Sequence, residues 1–157
     1  MKIREGKIDY KEAPFPVTNL FLNFDTKLPS LDTEQLKVNL DSIFFNVGTD
    51  YFKAIVKTTG LKKPVVDATI KASLDLQKMD RAFGFENMDL KGSLKMDVTS
   101  KGKYDKTNKT FPVTKGDISL KNTTIKTEYY PRPIENINLI AKISNANGAL
   151  KDLKVAI

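Results

Sequence analysis

Neither cysteine nor histidine occurs among the 157 residues, and tryptophan is also missing. Without cysteine there can be no disulfide, no thiol nucleophile and no cysteine-held metal, and the redox compartment stays open. Without histidine the chain lacks the side chain that titrates near neutrality and the commonest metal ligand. No run of about eighteen apolar residues is long enough for a membrane-spanning helix, and no secretory leader begins at Met1. There is no glycine-rich phosphate loop and no zinc or calcium spacing. Carboxylates are left as acid–base candidates, and Asp75 with Asp80, or Glu86 with Asp89, could in principle pair. Ordinary turn and strand-face placement accounts for them better. The expectation is a protein that is not an enzyme, with no catalytic residue, no metal and no cofactor.

What is present suits a folded domain, with 40% hydrophobic and 29% charged residues. The net charge of +7 comes mostly from lysine. Lys71, Lys91, Lys95, Lys121 and Lys142 fall singly on the polar faces of strands, where they keep strands soluble and edges unpaired. No basic cluster interleaves with aromatic residues, so no nucleic-acid partner is expected. Asn108-Lys-Thr110 and Asn122-Thr-Thr124 fit the glycosylation acceptor pattern, as chance alone produces in a chain rich in Asn and Thr.

The strongest internal signal is a repeat. PFPVTNLFL at 14–22 returns as PRPIENINL at 131–139, with Pro14, Pro16, Asn19 and Leu22 matching Pro131, Pro133, Asn136 and Leu139 at an offset of 117. The same offset carries Leu36, Lys37, Val38 and Leu40 onto Leu153, Lys154, Val155 and Ile157. Upstream, Gly6-Lys-Ile8 resembles Gly116-Asp-Ile118 at an offset of 110, which implies a longer connection in the second copy. A fixed-offset match argues for stacked repeats: residues 1–115 as a first β repeat and 116–157 as the start of a second, truncated one. The prolines lack an N–H and fix φ, so they belong at the beginning of a strand. Leu153, Val155 and Ile157 begin a strand that stops, which suggests a fragment of a longer protein.

Period-2 alternation marks strands with one apolar and one wet face. They are expected near residues 6–11 (with Ile8 and Tyr10 on one face), 17–28, 35–47, 51–59, 65–76, 89–99, 117–127, 134–143 and 150–157. A weak polar strand runs through Tyr104 and Phe111. The phase of 35–47 changes near Asp41-Ser42, the mark of a bulge. Leu76 to Phe85 has helical composition and ends at Gly84. About nine strands with at most one short helix indicate an all-β, antiparallel meander. Its apolar face must be covered by closing a barrel, by packing a second sheet, or by curling into a trough that holds something else. Strands of ten to twelve residues favour an elongated, curled antiparallel sheet, an open groove or half-barrel. Leu20, Leu22, Phe24, Val66, Ile70, Leu74, Leu94, Met96, Ile118, Leu139 and Ile143 form its inward rows. They suit an ordinary core or a groove lined for acyl chains.

The two Pro-x-Pro copies, Gly116-Asp-Ile118-Ser-Leu120, and the Lys63-Pro64 turn leading into 67–76 resemble the AsmA-like family of double-membraned bacteria, relatives of TamB and of repeating β-groove lipid-transfer proteins. The resemblance covers most of the chain, although the family's N-terminal membrane helix is missing from it. It implies a periplasmic segment of a longer protein anchored in the inner membrane. Phospholipid would be its cargo, passed along an apolar β-groove in support of outer-membrane assembly, with both membranes reached through the full-length protein. The other reading is a non-enzymatic interaction or scaffold module with a closed core.

Overall fold

The structure, a computed structural model, describes residues 1–156 apart from Tyr10 and Glu12, and of Pro131 and Leu150 the backbone alone. Nine strands follow in order: β1 (Lys2–Ile8), β2 (Val17–Lys27), β3 (Lys37–Val47), β4 (Asp50–Thr59), β5 (Val65–Asp75), β6 (Met88–Lys103), β7 (Val113–Thr127), β8 (Tyr130–Ser144) and β9 (Lys154–Ala156). Each pairs antiparallel with the next, so spatial order is chain order in one curled sheet that does not close into a barrel. This is the all-β architecture that the alternation predicts. One helix, α1 (Leu76–Phe83), lies between β5 and β6, and 3-10 turns occupy Thr33–Gln35 and Leu150–Asp152.

Strand register places one ladder of residues across the whole sheet. It runs Ile3, Leu22, Ile43, Ala54, Ile70, Val98, Gly116, Ile143 and Val155, each opposite the next. Alternation sends their strand neighbours to the other face, where Lys53, Lys71, Asp97, Asp117 and Lys142 form the parallel wet row. The turns β2–β3, β4–β5, β6–β7 and β8–β9 all fall at one end of the strands, here the open rim. The turns β1–β2, β3–β4 and β7–β8, with α1, form the helix rim.

Local chemistry fixes α1. The Asp75 carboxylate accepts from the Gln77 and Lys78 N–H groups, both at 3.0 Å, which satisfies two donors that the first turn leaves without partners. Gly84 then takes left-handed backbone (φ 65°) and donates to the Asp80 carbonyl at 2.9 Å, ending the helix. The helix buries Leu76 and Ala82. The core cluster at this rim gathers Val17, Phe45, Val47, Ala72, Leu74 and Ala82, with Phe83 packed against it.

The repeat is built into the register. β1–β2 pairs Lys2 with Asn23, Ile3 with Leu22, Gly6 with Leu20 and Ile8 with Val17. Adding 117 to each gives Ser119 with Ile140, Leu120 with Leu139, Thr123 with Ile137 and Ile125 with Ile134, the observed pairs of β7–β8. The same shift carries Thr33–Gln35 onto Leu150–Asp152, and the pairs Lys27–Lys37, Thr26–Val38 and Asp25–Asn39 onto Ser144–Lys154, Ile143–Val155 and Lys142–Ala156. Each copy bulges twice, at Glu5 and Asn19 and again at Asn122 and Asn136, and all four residues have positive φ.

Four expectations are corrected. Gly6 does not correspond to Gly116 at an offset of 110; it occupies the position of Thr123, so the constant shift extends upstream and no longer connection is needed. The polar strand through Tyr104 and Phe111 is a turn, closed by the Asp105–Thr110 bridge and by Asp105 accepting from Thr107, Asn108 and the Asn108 side chain. Pro131 and Pro133 lie within β8, not before it. Between the pairs Thr127–Tyr130 and Ile125–Ile134 three residues stand against Lys126 alone, an irregularity that accommodates missing N–H donors. β1 begins at Lys2 and ends at Ile8, and Tyr10 lies outside the described residues. The bulge expected at Asp41-Ser42 is present: register shifts there against both β2 and β4.

Candidate functional site

All eleven residues expected to point inward share one face. Leu22, Ile70 and Ile143 stand on the long ladder. Met96 and Ile118 continue from Phe45, Phe52 and Ala72 to Ala141, one pair of residues nearer the helix rim. Leu74, Leu94, Leu120 and Leu139 form the next ladder. Phe24 and Val66 stand towards the open rim, opposite Leu40 and Thr58. Leu20 packs against the core cluster. Ten of the eleven are only half-buried, as residues of a single layer must be; Leu74 alone, 4% exposed beneath the helix rim, is fully buried. Ile3, Ile43, Ala54, Val98, Gly116 and Val155 complete the long ladder and lie outside the eleven. The phase change at Asp41-Ser42 was the signal that would have put Ile43 beside Leu22.

The inner face is graded across its width. At the helix rim Phe45 stacks on Phe52 (ring centroids 5.3 Å apart) and meets Phe83 edge-on at 5.1 Å, geometries that aromatic quadrupoles favour. α1 covers this end. Towards the open rim the same face turns to hydroxyls: Thr58 opposes Val66, Ser100 opposes Ala68, and Ser100 Oγ lies 2.9 Å from Thr114 Oγ1.

The four open-rim turns are tied to one another. The Glu34 carboxylate accepts from the Lys62 N–H (2.8 Å) and the Lys63 N–H (3.3 Å), and Gly60 donates to the Leu36 carbonyl. Lys63 Nζ then reaches Asp105 at 2.9 Å, and Tyr104 donates to the Pro64 carbonyl. Phe111 donates to the Gly148 carbonyl at 2.6 Å, and Thr110 bridges to Ala149. Two carboxyls register these ties. The Lys62 N–H, with Lys63 N–H behind it, holds Glu34 below the ordinary carboxylate range. The Lys63 ammonium does the same for Asp105, helped by the Asn108 N–H.

Three of the four carboxylates considered for chemistry have structural partners among the described residues. Asp75 caps α1, and Asp80 accepts from the Leu90 N–H at 3.0 Å. Asp89, on β6, pairs with Lys91 at 3.9 Å, and Glu86, in the α1–β6 connection, faces water. Among the described residues no three carboxylates converge as a metal site would require. Lys71, Lys91, Lys95, Lys121 and Lys142 are exposed on their strands, as the alternation predicts. No protein-family model, curated protein or solved structure matches the chain.

Proposed function

We propose that the chain is a periplasmic segment of an AsmA-like envelope protein that carries phospholipid acyl chains passively along its apolar inner face, supporting outer-membrane assembly. The observation that carries this reading is the apolar ladder that crosses the sheet, broken only where Gly116 supplies no side chain, most of whose members are half-buried because no second layer covers them. Eight strand-to-strand steps make that track about 38 Å long. A soluble monomer rarely leaves so continuous an apolar surface without something to cover it. The grading across the face supports an orientation: acyl chains towards the aromatic, helix-covered rim, and headgroups towards the hydroxyls and lysines of the open rim. Both membranes would be reached through the full-length protein. The helix-rim cluster favours a second reading, a scaffold module in which that cluster is the core and the rest of the face meets protein.

Ile70→Asp and Ile143→Asp test the groove. Both positions are half-buried and far from α1, so the charge stays partly hydrated and the variants should fold. Mass spectrometry of co-purified lipid should find phospholipid on the parent and lose it on both variants. Leu74→Asp serves as the contrast: it buries an unpaired carboxylate in the helix-rim cluster and should cost several kcal/mol. A parent that never carries lipid, or folded variants that carry as much, would overturn the conduit in favour of the scaffold.

A further inference from the structure

Net charge is not evenly placed in the fold, because the carboxylates thin out towards one rim while the basic residues do not. The long ladder from Ile3 to Val155 divides the sheet into two halves. Thirteen lysines and seven carboxylates lie on the open-rim side, a balance of +6; the helix-rim side carries thirteen basic and eleven acidic described residues, a balance of +2. Several open-rim lysines, Lys37, Lys62, Lys103, Lys106 and Lys151 among them, have no ion-pair partner among the described residues.

Apolar side chains project from the same rim. Leu31 is 97% exposed at the tip of the β2–β3 connection, with Leu28 half-exposed beside it, and Leu61 is 59% exposed at the tip of the β4–β5 turn. The Glu34 carboxylate holds these two tips together by gripping the backbone next to Leu61. Lys63 and Asp105 extend the brace to the β6–β7 turn. A leucine held in water at the apex of a braced turn has nothing in the fold to cover it. Flanking cations and exposed leucines on one edge are the pattern of a surface that sits in the lipid interface: the leucines enter the headgroup–acyl boundary and the ammonium groups meet phosphate.

We propose that the open rim docks on an anionic lipid bilayer, with Leu28, Leu31 and Leu61 inserted and the unpaired lysines along that rim, Lys37, Lys62, Lys103, Lys106 and Lys151, against lipid phosphates. This goes beyond the groove reading and does not depend on it. Docked in this way, the trough would lie along the bilayer with its hydroxyl-lined side towards the headgroups.

Vesicle co-sedimentation of the full chain tests the proposal, using phosphatidylcholine alone and phosphatidylcholine with about a third phosphatidylglycerol. The parent should bind the anionic vesicles and release them as salt rises from about 0.1 to 0.5 M, because the Debye length shortens. Each lysine at such a surface is worth about fivefold in partitioning, so Lys103→Glu with Lys106→Glu should weaken binding at least about 25-fold. Leu31→Ser with Leu61→Ser should weaken it independently of salt. The helix-side pair Lys95→Glu with Lys126→Glu, the same change in net charge, should have a far smaller effect. All six positions are exposed, so thermal melting should hold for every variant. Equal loss from both charge pairs, equal binding to neutral vesicles, or no binding by the parent would overturn the proposal. Ile70→Asp should dock normally, which separates failure here from failure of the groove.

Discussion

Asn19 and Asn136 stand 117 positions apart and hold the same left-handed backbone, φ 52° and 56°. Asn19 makes the bulge on β2 and Asn136 the one on β8, and each is matched across the pair by a second left-handed residue, Glu5 or Asn122. Asparagine tolerates this conformation better than other residues with a Cβ. The repeated bulge is therefore a repeated choice of residue type.

Asn19→Val should destabilise the chain by about 1–2 kcal/mol, since a β-branched residue meets the full left-handed penalty. Asn19→Gly should fall within a few tenths of a kcal/mol of the parent. Urea midpoints measure both. If valine were tolerated as well as glycine, the left-handed assignment at Asn19 would be wrong.

Asp75→Ala removes the acceptor of two N–H groups at the start of α1, and a lost cap of this kind costs about 1 kcal/mol. The effect should concentrate at the helix rim. Hydrogen exchange should quicken across residues 76–84 while amides of the β4–β5 pair stay protected; uniform quickening would mean that α1 is not a separable cover.

Glu34 and Asp105 tie the open-rim turns as anions, and their carboxyls are held below the ordinary 4.5 and 3.8. A carboxyl depressed in the folded state contributes stability that is present above its unfolded value and lost as pH falls through its folded one. Melting temperature should therefore be flat in this respect from pH 7 to about 5 and fall below about 4. Glu34→Gln and Asp105→Asn should each start lower at pH 7 and lose part of the acid-induced decline. A variant that kept the parent's full pH dependence would remove that residue from the linkage.

Among the described residues β9 covers β8 from Lys142 to Ser144 alone, whereas β3 covers the equivalent β2 along its length. From Ile134 to Ile140 the outer edge of β8 has no strand partner among the described residues, and Ile134 is 54% exposed where its counterpart Val17 is fully buried. Such an edge recruits strands. The chain should self-associate with rising concentration in analytical ultracentrifugation, and a peptide of residues 37–47 should compete. A monomer at every concentration, indifferent to the peptide, would show that this edge is protected.

The alternation in 65–76 made β5 and its inner face legible, because every second residue there is apolar and nothing interrupts the phase. Gly84 marked the end of α1 for an equally local reason. Bulges were harder to read. Gly6 and Gly116 look alike in sequence, yet each inserted residue resets the phase, and only the pairing of Gly6 with Leu20 and Thr123 with Ile137 shows which positions correspond. The turn at 104–111 was misread because alternation of Tyr104 with polar residues also arises when Asp105 folds the backbone about its own carboxylate. Clustering of charge at one rim could not be read locally at all: Lys62, Lys106 and Lys151 are far apart in sequence, and successive connections of a meander fall at alternate ends.

The long ladder also sets the pitch of the molecule. Across the sheet Leu22 leads to Ile143, yet its repeat counterpart is Leu139, four residues back along β8. Six strands, about 29 Å, thus carry a stagger of about 13 Å, so the strands stand about 25° off perpendicular to the direction along which one copy succeeds another. In a closed sheet that slant would be the shear of a barrel. In an unclosed one it sets each copy about 13 Å along the strand direction from the one before it, so the apolar floor steps sideways from one copy to the next.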